Sequence, residues 1–204
     1  MPQGRPDAVP DDGLTTRARR HAPLVAVHTG TGKGKSTAAF GMALRAWNAG
    51  FDIAVFQFVK SAKWKVGEEN AFRELGRLHD ERGVGGAVEW HKMGAGWSWA
   101  RKAGSADGHA AAAADGWAEI ARRLAEERHD FYLLDEFTYP LKWGWVNVDD
   151  VVATLAGRPG TQHVVITGRD APPQLLDAAD LVTEMAKVKH PMDAGRKGQK
   201  GIEW

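Results

Sequence analysis

The sequence predicts a doubly wound α/β domain on a mostly parallel sheet, and three observations carry that reading. From Leu24 onward, short apolar runs alternate with longer helical stretches, the spacing of βαβ units. One run, Leu24–His28, passes into a turn with three glycines that opens a helix. Another, Phe131–Leu134, ends in two carboxylates, Asp135 and Glu136. With 204 residues, 43% of them hydrophobic, the chain can fill one core and is short for two. A single domain over 23–204 is expected, preceded by an arm over 1–22 that lacks hydrophobic periodicity and clusters Arg17, Arg19 and Arg20.

In chain order, the apolar runs place strands at Leu24–His28, Ile53–Phe58, Ala87–His91, Phe131–Leu134, His163–Thr167 and Leu181–Glu184. Between them, helices are expected at Lys35–Asn48, Glu68–His79, His109–Arg128 and Val148–Leu155, with a short one at Pro173–Ala178. The alanine run Ala110–Ala114 reads as helix propensity, not as low-complexity sequence. No internal repeat is present.

Composition narrows the function classes. Lys and Arg number 27 against 26 Asp and Glu, a net charge of +1, which gives no general drive toward nucleic acid or an anionic membrane. Any anion site must be built locally. There are no cysteines, so disulfides, thiolate metal sites, iron–sulfur clusters and a Cys nucleophile are excluded. The eight histidines show no pair at metal-ligand spacing, and no zinc site is assigned. The first twenty residues hold no apolar segment and no stretch approaches the roughly 20 apolar residues of a membrane span. A cytoplasmic protein without membrane or nucleic-acid partners is expected.

The chemistry starts at LVAVHTGTGKGKSTAAFGMAL, a strand, a glycine-rich turn and a helix. Gly30, Gly32 and Gly34 allow backbone N–H groups to face phosphate oxygens, and the helix opened by Lys35, Ser36 and Thr37 adds its positive dipole end. Lys35 brings a mobile full charge, and the Ser36 hydroxyl suits Mg²⁺. This is a phosphate loop, and it places the domain in the P-loop NTPase (RecA-like) fold. Its spacing is one short. Only Thr31, Gly32 and Lys33 separate Gly30 from Gly34, where the usual motif has four residues. A shorter ring of amides holds phosphates differently, and Lys33 places a second cation within it.

The carboxylates closing Phe131-Tyr132-Leu133-Leu134-Asp135-Glu136 fit the partner strand that holds Mg²⁺ beside such a loop. If the strand continues, the two point to opposite sides. One reaches the metal directly and the other through water or not at all; the sequence leaves open which. Thr167-Gly168-Arg169 follows another strand at the sheet's carboxyl edge, so Arg169 is a candidate ligand-binding residue, with a solvated arginine as the plainer reading.

Six blocks in order resemble the ATP-dependent corrinoid adenosyltransferases: HTGTGKGKSTAAFG (28–41), VFQFVK (55–60), GAGWSW (94–99), LLDEFTY (133–139), VVITGR (164–169) and KHPMDAGRKGQKGIE (189–203). The likeness runs from Leu24 to Trp204. It implies that ATP and a corrinoid are substrates, with Mg²⁺ or Mn²⁺ as cofactor, and that cobalt reduced to Co(I) attacks the 5′ carbon of ATP and expels triphosphate. It also implies a homodimer served by a separate reductase, flavin-type or other, and an N-terminal arm that folds over the substrates. Relatives exclude the lower cobalt ligand with bulky aromatic side chains, commonly Phe then Trp two residues later. Here both positions are tryptophan, Trp97 and Trp99, so the first departs in identity while keeping an aromatic face. Without the resemblance, GAGWSW is a glycine-flexed loop with two half-buried tryptophans. In the lysine- and arginine-rich tail 187–200, the plainer reading is a solvated face and the other is contact with ATP or corrin amides. The competing functions are a P-loop phosphotransferase or ATPase forming ADP, and a RecA-like nucleic-acid-binding module, which the +1 charge disfavours.

Overall fold

A computed structural model of the chain describes residues 13–59, 67–93 and 106–202. Six strands, β1 (Val25–Thr29), β2 (Ile53–Gln57), β3 (Val88–Lys92), β4 (Phe131–Asp135), β5 (His163–Thr167) and β6 (Leu181–Glu184), form one sheet in the order β3-β2-β4-β5-β1-β6. Every neighbouring pair is parallel. Each strand starts and ends within about one residue of the segment expected from the sequence.

The helices are α1 (Thr16–Arg20), α2 (Lys35–Asn48), α3 (Gly67–Arg82), α4 (Ala106–Ala125), α5 (Thr138–Lys142), α6 (Val148–Gly157) and α7 (Pro173–Ala178). Two were not foreseen. Both α1 and α5 have 5 residues, too few for an apolar period to show. The first starts where the Thr15 side chain accepts a hydrogen bond from Ala18 N at 3.1 Å, and it buries no residue. Helix α3 runs beyond His79 to Arg82, where Gly83 adopts φ +65° and its N–H returns to the His79 carbonyl. Helix α4 ends before Arg128 because the chain turns at Glu127, φ +49°, to enter β4.

Strands β1, β2 and β4 are buried along their whole length, and two core clusters explain why their runs are continuously apolar. Val25, Val27, Phe56, Tyr132, Leu134, Val164 and Ile166 face one side with Trp117, Ile120 and Leu124 of α4, Val151 and Leu155 of α6, and Leu175 of α7. The alternate residues Ala26, Ile53, Val55, Phe131, Leu133 and Val165 face the other, against Ala39, Phe40, Ala43 and Trp47 of α2 and Phe72 of α3. Strand alternation thus serves two hydrophobic layers at once. No helix among the described residues is long and apolar enough to cross a membrane.

At the β3 edge, charge ties the layers together. Buried Arg123 of α4 bonds Glu89 of β3 and Glu119, each at 2.6 Å, and Glu89 also meets Arg128 at 3.2 Å and His129 Nε2 at 3.3 Å. Burial alone would raise the Glu89 pKa. Its hydrogen bond to Arg123 and the charges of His129 and Arg123 outweigh that and pull it down to about 2. A depressed carboxyl contributes stability above its unfolded pKa, near 4.3, and loses it as pH falls toward the folded value. Urea midpoints of wild type and Glu89→Gln are therefore expected to differ at pH 7 and to converge between pH 5 and pH 2; a gap independent of pH would show that the Glu89 charge does not stabilise the fold.

Candidate active site

In a parallel sheet the loops after neighbouring strands gather at one edge, where no hydrogen-bonded ladder continues and polar groups find room. The turns after β1, β4 and β5 meet there. Gly34, φ +106°, ends the phosphate loop, and Lys35 is the first residue of α2. The Lys35 side chain folds back into the loop, and Nζ donates to the carbonyls of Gly30 at 3.0 Å and Gly32 at 2.5 Å. His28 Nδ1 donates to the Lys35 carbonyl at 3.2 Å, fixing the strand end to the helix start. Burial lowers the Lys35 pKa, the positive charge of Arg169 adds to that, and Glu136 opposes it.

The loop is held from behind by the chain that leaves β6. Met185 N donates to the Thr29 carbonyl at 2.9 Å, and Gly32 N donates to the Met185 carbonyl at 2.6 Å. A Cβ on Gly30 would stand 2.6 Å from Met185 O, and one on Gly32 would stand 2.7 Å from the carbonyl oxygens of Met185 and Ala186. Both glycines are required by the close approach of another backbone, and Gly30 also by its φ of +94°. The Gly32 amide, read from sequence as a phosphate donor, is turned to Met185.

The two carboxylates separate clearly. Asp135 is fully buried; Gln57 Nε2 donates to its Oδ2 at 3.0 Å and Thr167 Oγ1 donates to its Oδ1 at 2.8 Å. Thr167 Oγ1 in turn accepts from Glu136 N at 3.0 Å. The strand ends at Asp135, so alternation across a continuing strand does not apply. Glu136 instead takes a left-handed φ of +63° and lines the cleft.

That cleft, about 580 Å³, is lined by Gly32, Lys33, Gly34, Lys35, Ser36, Thr37, Glu136 and Arg169 from the expected site, together with Phe40, Glu68, Tyr139, Lys189, His190, Pro191 and Ile202. Gly30 and Thr31 stand outside the lining, Gly30 acting through its carbonyl on Lys35. Arg169 is exposed and follows Gly168, whose φ of +144° and contact with Thr138 leave no room for a side chain. The Thr138 hydroxyl donates to the Arg169 carbonyl at 2.7 Å and sets this turn against α5. Burial raises the Tyr139 pKa, with Glu136 adding to the rise, so the phenol keeps its proton at neutral pH. Trp97 and Trp99 lie outside the described residues.

Sequence reading did not single out Gln57, Thr167, Glu68, Tyr139 or His190. All but Glu68 fall within the six blocks, where the available signal was position at a strand's carboxyl end or in the tail. Glu68 carries no such mark; only the seating of α3 brings it to the cleft.

Comparison with known proteins agrees with this geometry. A family model described as ATP:corrinoid adenosyltransferase BtuR/CobO/CobP matches residues 21–204. The chain is 42% identical over 200 residues to the corrinoid adenosyltransferase of Pseudomonas aeruginosa, covering 98% of this chain and 92% of that protein. It is 38% identical over 193 residues to corrinoid adenosyltransferase CobA of Salmonella typhimurium, covering 95% and 91%. Among solved structures, the flagellar accessory protein FlaH from Methanocaldococcus jannaschii superposes with a TM-score of 0.52 at 13% identity, over 80% of this chain and 72% of that one, a likeness of fold. The chain belongs to the ATP:corrinoid adenosyltransferase family, enzymes whose substrates are ATP and a corrinoid.

Proposed function

We propose that this enzyme transfers the 5′-deoxyadenosyl group of ATP to the Co(I) of a corrinoid with the entire triphosphate as leaving group. The observation that carries the proposal is the convergence of Lys33, Lys35, Ser36, Arg169 and Glu136 on one cleft built around a phosphate loop one residue short. The cobalt electron pair forms the Co–C5′ bond as the C5′–O bond breaks, and the bonding pair leaves on the triphosphate. Cobalt passes formally from Co(I) to Co(III). Electrons for Co(I) come from a separate reductase, since a chain without cysteine has no dithiol to supply them. Lys33, Lys35 and Arg169 neutralise charge that grows on the departing oxygen, the place where fixed charge accelerates a reaction most. Activation of a water at the terminal phosphate is not required.

Ser36 and Glu136, one hydroxyl and one carboxylate lining the cleft, fit a divalent ion, whereas both oxygens of Asp135 already accept hydrogen bonds. Among the described residues no group of three or more His, Asp or Glu side chains could hold a metal ion. Mg²⁺ or Mn²⁺ would therefore take its other ligands from phosphate oxygens and water, and would supply charge neutralisation on the triphosphate. Asp135 supports the site from beneath by holding Thr167, which positions the Glu136 backbone. Trp97 and Trp99 take, by resemblance, the role of excluding the lower cobalt ligand. A homodimer, with the arm over 1–22 acting as a lid, completes the reading.

Incubation with ATP, Mg²⁺ and a chemically reduced corrinoid is expected to yield adenosylcorrinoid and triphosphate. ADP as the nucleotide product would instead establish a phosphotransferase or ATPase. In the same assay Lys35→Ala should lose at least about a hundredfold in rate; near-normal turnover would refute the loop's role. Glu136→Gln should raise the Mg²⁺ concentration for half-maximal activity by at least about tenfold, and an unchanged requirement would remove Glu136 from the metal. Trp99→Ala should bind ATP normally yet fail to form reducible, ligand-free cobalt. Normal reduction of bound cob(II) corrinoid in that variant would end the ligand-exclusion role.

A further inference from the structure

The segment after β6 contributes a wall of the cleft. Lys187 Nζ pairs with Asp193 at 2.9 and 3.0 Å across a 3-10 turn, Pro191–Ala194, that closes at Gly195 with φ +72°. His190 opens this turn, and its Nδ1 accepts a hydrogen bond from Met192 N at 3.1 Å. An acceptor nitrogen carries no proton, so in this geometry the ring N–H sits on Nε2. Among the described residues nothing else hydrogen-bonds this ring. The half-buried side chain lines the cleft with a single N–H donor left to use.

The chemistry of the lining divides the cleft. Lys33, Lys35, Arg169, Ser36 and Thr37 offer cations and hydroxyls, the complement of a triphosphate. Pro191 and Ile202, which share the lining with His190, offer a phosphate nothing but give a purine or ribose an apolar surface to pack on, while Lys189 adds one more cation from the tail. An oriented N–H donor beside apolar groups suits an acceptor on the nucleoside, since the cations already serve the multiply charged phosphates.

We infer that His190 contacts substrate, donating from Nε2 to an acceptor on the adenosyl half of ATP, with Met192 N–H fixing the ring's tautomer and orientation. This rests on the cleft being the ATP site. It gives the enzyme a residue that binds the transferred group and not the leaving group, so it discriminates ATP from its own triphosphate product.

The test measures dissociation constants of ATP and of inorganic triphosphate, each with Mg²⁺, by calorimetry on the full chain. In His190→Asn the amide oxygen keeps an acceptor for Met192 N–H but the Nε2 donor is gone. ATP binding should weaken about three- to tenfold, the worth of one hydrogen bond, while triphosphate binding stays at the wild-type value. In His190→Gln an amide N–H stands near the Nε2 position, and ATP affinity should return toward wild type. His190→Asn binding ATP as tightly as wild type overturns the inference, as does equal weakening of ATP and triphosphate, which would mean a phosphate contact or a collapsed wall. Lys35→Ala separates the two readings: it should weaken both ligands. If it weakens neither, the cleft is not the phosphate site and the functional proposal fails with the inference; if it weakens both while His190→Asn changes nothing, only the inference fails.

Discussion

Because every strand pair is parallel, all six carboxyl ends lie along one edge, and the active cleft follows from that constraint. Both faces of the central strands are committed to hydrophobic layers, so the polar groups that end these strands collect at this edge, where they keep their hydrogen bonds. The turns after β1, β4 and β5 therefore deliver Lys35, Glu136 and Arg169 to the same place although they are separated by 101 and 33 residues in the chain (136 − 35 and 169 − 136). The Gln57–Asp135–Thr167 chain of hydrogen bonds stitches the ends of β2, β4 and β5 directly beneath them. Its members pair across the ladder, Gln57 standing opposite Asp135 in the register. A buried carboxylate satisfied on both oxygens fixes where the following residue departs.

The shortened loop gains a second meaning from its contact with Met185. A helix N-terminus is typically worth about 0.3–1 kcal/mol to an anion, and up to about 2 in favourable partly buried geometry. A full charge at about 4 Å is worth roughly 4 kcal/mol at an effective dielectric near 20. Turning the Gly32 amide away from the phosphates is thus a small loss beside the cations of Lys33 and Lys35. In return the loop is anchored to the chain that goes on to form the tail wall of the cleft. The glycine backbone of the loop also accepts Lys35 on its carbonyl side, so a buried ammonium keeps hydrogen-bond partners within its own loop.

Much of this was legible in the sequence because the signals are local. A short apolar run such as Ile53–Phe56, rich in β-branched and aromatic residues and preceded by a glycine, reads as a strand buried on both faces, and a glycine turn between strand and helix announces its own geometry. What escaped was set by tertiary contact. Whether Asp135 or Glu136 faces the cleft depends on one left-handed residue, and two adjacent acids carry no mark of which will adopt it. Gly32 appears in sequence as a phosphate donor because the segment it touches lies over 150 residues away, Met185 being 153 positions further on. Glu68 looks like any acid in the first turn of a helix and enters the cleft through the packing of Phe72 beneath it. The aromatic pair Trp97 and Trp99 rests on resemblance alone.

The polarity of the cleft bears on why adenosyl transfer needs a phosphate loop of unusual spacing. A hydrolase must hold the terminal phosphate so that water reaches it, and its loop is fitted to that phosphorus. In the proposed transfer the bond that breaks lies at the other end of the triphosphate, and the fixed cations would be most useful where the C5′ oxygen leaves. Interactions that strengthen as charge moves onto that oxygen raise the rate, whereas those that grip ATP and triphosphate equally only tighten both. A site made of cations alone would favour the product, since the released triphosphate carries more charge than the ATP that entered. On the inference drawn for His190, a donor and apolar surface directed at the adenosyl half would offset that bias, because they would bind ATP and have nothing to hold once the adenosyl group has moved to cobalt. On the proposed reading, the tail wall and the phosphate loop, joined through Met185, would divide substrate retention and leaving-group stabilisation between the two halves of one cleft.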